Sequence, residues 1–70
     1  MNHDTNTISE LTDLHERMKK LSWEIQIFVD GINQKSNEQF LEEFPTLINK
    51  LNEQYHNIIR MKFLAATLTN

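Results

Sequence analysis

The sequence predicts an all-α fold, an antiparallel two-helix hairpin completed by a partner protein or by self-association. Three observations carry this. The 70 residues contain one glycine and one proline and no alternating apolar and polar run, which favours helix over sheet. Apolar residues recur at helical spacing on both sides of one polar break, "DGINQKSN". So short a connection makes the two helices antiparallel neighbours.

Residues 1–6 are polar and are expected to form a flexible N-terminus, ahead of a single hairpin domain over 7–68. Thr7-Ile8-Ser9-Glu10 fits a capping box, in which the threonine oxygen and the glutamate carboxylate satisfy amides at a helix start. Helix 1 is therefore placed at about 8–32. Along it Leu11, Leu14, Met18, Leu21, Ile25, Phe28 and Ile32 step alternately by 3 and 4, one continuous apolar seam. Gly31 can adopt the left-handed conformation that ends a helix, and Ser36-Asn37-Glu38-Gln39 supplies a second capping box.

Helix 2, at about 37–66, carries Phe40, Phe44, Leu47, Leu51 and Ile58 on a stripe expected to close the hairpin, with Leu41, Ile48 and Tyr55 beside it. Pro45 removes one backbone donor, so a kink or a restart of the helix is expected near 45. Met61, Leu64, Ala65 and Leu68 rotate away from this stripe, and Phe63 points elsewhere again.

Seven Lys/Arg against ten Asp/Glu give a formal charge of −3, and the basic residues are scattered. Nucleic-acid binding uses clustered cations to displace counterions, so no nucleic acid is expected as partner. With no cysteine, disulfides and thiolate metal sites are excluded, which fits a reducing compartment. "MNHDTNTISEL" has neither a basic nor an apolar signal region, and no run approaches the roughly 20 apolar residues of a membrane span. A cytoplasmic protein without membrane insertion is expected.

Chemistry finds little to work with. Glu53-x-x-His56 has the carboxylate–histidine spacing of di-iron bundles, but those need a second pair and two further glutamates, and this pair lies off the apolar stripe. No metal site and no cofactor are expected. Glu42 and Glu43 are adjacent and diverge on a helix, and there is no nucleophile elbow or phosphate-binding glycine loop. No catalytic residue is assigned, and the chain is not expected to be an enzyme.

What remains is apolar surface. Trp23 and Ile27 lie on the far side of helix 1 from the Leu11 to Ile32 seam. The plain alternative is that Trp23 edges the core or is a lone exposed side chain. Large aromatic residues nevertheless dominate many interfaces. Trp23, Ile27, Phe63 and Leu64 are the expected partner-binding residues.

"NEQFLEEFPTLINKLNEQYHNIIRMKFLA", with Gln39-Phe40 at its start, spaced leucines and Ile58-Ile59 near its end, resembles the second helix of small type III secretion co-chaperones of the YscE kind. Those are short, cysteine-free helical hairpins of bacterial injectisomes, and the resemblance spans roughly residues 11–65, with Pro45 a departure from the pattern. It implies binding to a larger tetratricopeptide-like chaperone, the pair keeping the needle subunit monomeric before export. Needle subunits are also hairpins but carry a turn such as "PSNP", where this chain has "KSNE". The rival expectations are a homodimeric four-helix regulatory protein, a small phage or plasmid inhibitor of a host protein, and a needle-like secretion subunit.

Overall fold

A computed structural model describes the backbone of residues 2–69 and the side chains of residues 5–69. Two helices, α1 (Asn2–Asp30) and α2 (Asn37–Thr69), are joined through one 3-10 turn, Ile32–Gln34. They lie side by side in a rod of 53 × 14 × 13 Å. Glu10 meets Arg60 and Glu24 meets Lys50, a descending pairing that makes the helices antiparallel.

The α1 seam faces α2 as its spacing requires. Leu14 and Leu21 are buried, and Leu11, Met18, Ile25 and Phe28 are half-buried. Ile32, the last seam residue, is half-buried in the 3-10 turn, because α1 ends at Asp30.

The start of α1 differs from expectation. The helix already runs from Asn2, so residues 2–6 are helical, and Met1 lies outside the described residues. Thr7 is in mid-helix and buried. Glu10 bonds to Arg60 across the hairpin. The physical reason is the length of α2, which continues to Thr69: packing against a second helix sustains turns that a local cap signal would have ended.

The turn is built without left-handed backbone. Gly31 sits at φ −93° and ψ 3°, and none of the described residues has a positive φ. The amide of Gly31 donates to the Ile27 carbonyl at 3.2 Å, and Gln34 and Lys35 donate to Gly31 and Ile32. The Gly31 amide thus serves one of the last α1 carbonyls, and the 3-10 turn bonds within its own residues, with no left-handed glycine. The Ser36 hydroxyl then accepts the Gln39 amide at 3.1 Å, which is the expected N-cap of α2.

Pro45 lies inside α2, which does not restart there. Around it Phe28, Phe40 and Phe44 form a chain of tilted rings with centroids 6.1 and 5.6 Å apart. Lys35 Nζ stands 5.0 Å over the Phe28 ring and donates to Glu43 Oε1 at 2.7 Å. This aromatic cluster closes the turn end of the rod.

The inward face of α2 is the main correction. Phe40, Glu43, Leu47, Lys50, Gln54, Asn57, Met61 and Leu64 are the side chains turned toward α1. Of the stripe expected there only Phe40 and Leu47 take part, while Phe44, Leu51 and Ile58 are exposed. A hairpin supplies one helix to pack against, and α2 is apolar over more than one face. The inward stripe holds apolar residues as far as Leu64, level with the first turns of α1, whereas the expected stripe stops at Ile58.

Candidate protein-interaction surface

The inward register gives the hairpin a polar middle. Lys50 Nζ donates to Glu24 Oε1 at 3.1 Å. Gln54 Nε2 donates to the Met18 carbonyl and to Ser22 Oγ. Asn57 is buried, and among the described residues its Nδ2, like Gln54 Oε1, has no hydrogen-bond partner. Among the described residues the buried apolar side chains are Leu14, Leu21 and Leu64. So thin a core is unusual support for a free-standing chain of this size.

The consequence is on the outside of α2. Leu41, Phe44, Ile48, Leu51, Tyr55 and Ile58 step by 3, 4, 3, 4 and 3, the spacing of a helix-pairing seam. All six are exposed, from 37% at Ile48 to 68% at Leu41. This 41–58 stripe is one residue out of phase with the inward face and runs along its flank.

The two flanks of the rod are chemically different. One groove between the helices is lined by Arg17, Lys20, Leu21, Glu24, Lys50 and Glu53. The other is lined by His15, Met18, Lys19, Ser22, Trp23, Gln26 and Gln54. Leu51 and Ile58, three before and four after Gln54, lie to its Ser22 side. The apolar stripe therefore borders the second groove, while the first is charged and crossed by the Glu24–Lys50 ion pair. The hairpin as a whole is amphipathic.

Electrostatics reinforce this division. Arg60 binds Glu10 Oε2 through both Nε and a terminal nitrogen at 2.8 Å, and its guanidinium lies 5.3 Å from the Phe63 ring centroid. The Lys35 hydrogen bond holds the Glu43 carboxyl below its ordinary pKa, aided by Gln39 and opposed by partial desolvation. Glu16 pairs loosely with Lys19 at 3.9 Å.

The sequence-derived contact residues do not form one site. Trp23 is 65% exposed and Ile27 53%, both on α1. Phe63, 61% exposed, lies beside the Glu10–Arg60 pair, about 20 Å along the rod from Trp23 at 1.5 Å per residue. Leu64 is 4% exposed and belongs to the hairpin core, because the inward stripe of α2 ends on it. Trp23 lines the same groove that the 41–58 stripe borders. Sequence spacing alone hides the stripe as a surface, because its residues equally suit the hairpin's own closure; the unbroken 3-4 spacing beginning at Leu41 is the available signal.

Among the described residues no group of three His, Cys, Asp or Glu side chains is placed to hold a metal ion. Glu53 and His56 are both exposed, and His56 packs edge-on to Tyr55. No described helix is long and apolar enough to cross a membrane. Compared with family models, with curated proteins and with solved structures, the chain matches none.

Proposed function

We propose that the chain is a non-enzymatic, cytoplasmic protein-binding module, and that it binds through the 41–58 stripe. The observation that carries this reading is the uncovered run of six large apolar side chains on α2. Contiguous apolar surface beyond a few hundred Å² marks an interaction site far more often than it marks idle surface. The thin, partly polar core is a second support, since a partner helix laid on the stripe supplies burial that the hairpin lacks.

The resemblance to secretion co-chaperones gives this function its most specific form. In that form the stripe docks on a tetratricopeptide-like chaperone, whose stacked helix pairs present extended concave surfaces, and the complex keeps a needle subunit monomeric before export. A homodimeric four-helix protein is the second form, favoured by the symmetry of the stripe developed below.

The test is site-specific photocrosslinking in the producing cell. A photoreactive residue at Ile48, in the stripe, should give protein adducts, and one at Glu53, on the charged flank, should give few. Equal labelling at both positions, or none at Ile48, would remove the stripe as the binding surface.

A further inference from the structure

We infer that the 41–58 stripe is covered by the same stripe of a second copy, running antiparallel, so that two hairpins form a four-helix dimer. This rests on the stripe being a binding surface, and goes further by naming its occupant.

The stripe is its own complement when reversed. About a midpoint between Asn49 and Lys50, Leu41 falls opposite Ile58 of the second copy, Phe44 opposite Tyr55, and Ile48 opposite Leu51. Aliphatic meets aliphatic and aromatic meets aromatic along the whole seam, as a two-fold interface requires. The outer flanking positions, Pro45, Asn52 and Ile59, carry no charge, so no like-charge contact opposes the approach.

Charge selects the direction. Glu38 and Glu42 stand at the start of α2 and Arg60 and Lys62 near its end. Glu38, Glu42 and Lys62 make no ion pair among the described residues. Lys62, four residues past Ile58, continues the stripe, and antiparallel pairing sets it opposite Asn37 and beside Glu38 of the second copy. Parallel pairing sets Lys62 against Lys62 of the second copy, a like-charge contact on the seam itself.

The area is sufficient. With roughly 200 Å² for a whole large side chain and about half of it exposed at each position, the six residues offer on the order of 600 Å² per chain. The pair then buries about 1,200 Å², the lower end of the range for stable specific interfaces.

The experiment uses the full chain and its freedom from cysteine. Sedimentation equilibrium should give twice the 8.3 kDa chain mass. Leu41→Cys mixed with Ile58→Cys should oxidise to a covalent pair. Neither should crosslink alone, since two copies of position 41 are about 26 Å apart in the antiparallel arrangement, beyond disulfide reach. Ile48→Glu, which enters the interface twice, should weaken association by at least about 100-fold with helicity retained. Crosslinking of Leu41→Cys alone, or a dimer indifferent to Ile48→Glu, would overturn the pairing. So would a helical monomer at high micromolar concentration, but that result would leave the binding-surface reading standing if Ile48 photoadducts then contain a different protein.

Discussion

Gln54 reaches across the hairpin to Ser22, its amide nitrogen 2.8 Å from the serine hydroxyl and 3.1 Å from the Met18 carbonyl, while its own carbonyl oxygen finds no donor. The residue is a polar wedge in the middle of the inter-helix seam. Its hydrogen bonds fix which turn of α2 meets which turn of α1, and its orphaned oxygen carries a desolvation penalty. Replacing it by a similar-sized apolar side chain removes both. Gln54→Leu is therefore expected to raise the unfolding free energy by about 1 kcal/mol, measured by urea denaturation at fixed protein concentration. A loss of similar size would show that the hydrogen bonds outweigh the penalty.

The seam leucines and Trp23 should separate cleanly. Leu14→Ala, Leu21→Ala and Leu64→Ala each empty a buried position, with an expected cost of about 2–5 kcal/mol. Trp23→Ala, at a 65% exposed position, should stay within about 0.5 kcal/mol of the parent. Thermal or urea unfolding of the four variants checks this. A Trp23 variant as damaged as Leu21→Ala would place the indole in the hairpin core.

Gly31 is replaceable. Its φ of −93° suits any L-residue, and an added Cβ would meet the Ile27 and Phe28 carbonyl oxygens at 3.7 and 3.9 Å, ordinary contact distances. Gly31→Ala narrows the unfolded ensemble without straining the fold, so a gain of about 0.4–1 kcal/mol is expected. A lower midpoint in denaturant would mean that the turn uses a left-handed residue after all.

Acid should loosen the turn end through Glu43. Its carboxyl is held below the ordinary value of 4.5, chiefly by the hydrogen bond from Lys35. A carboxylate lowered in the folded state binds fewer protons there than in the unfolded chain. The contribution is therefore complete above the unfolded value and is lost as pH falls through the folded one. Between pH 6 and about pH 3 the parent should lose more stability than Glu43→Gln, in which the ion pair is already absent. Parallel pH profiles for the two would show that the Lys35 bond does not survive in solution.

The fold was legible because α1 carries one continuous apolar seam. Leu11, Leu14, Met18, Leu21, Ile25 and Phe28 leave no second way to rotate that helix, and all six turn inward. α2 was not legible to the same degree, since Phe40 and Leu41 each begin a plausible 3-4 series. Choosing between them depends on Met61 and Leu64 reaching the first turns of α1, and on Lys50 and Gln54 finding Glu24 and Ser22. Those are pairings between residues more than 25 positions apart, which periodicity within one helix does not encode. Leu64, expected at the surface, is buried for the same reason. Trp23 and Ile27 were read as outward from the α1 seam alone, and they are exposed.

The spread of polar crossings along the rod changes what the connection between the helices has to do. Glu10–Arg60, Ser22–Gln54 and Glu24–Lys50 sit at successive heights, and a slide of one helical turn, about 5.4 Å, would part all of them together. Alignment is thus held by side chains distributed over most of the length, and with Lys35 and Ser36 kept for the Glu43 pair and the α2 cap, the residues from Gly31 to Gln34 need only span the gap. Lengthening them adds closure entropy that grows slowly, about 0.6 kcal/mol for each doubling. The turn is the place where this chain can accept an insertion, a tag or a cut-and-rejoin permutation while the two helices keep their mutual alignment.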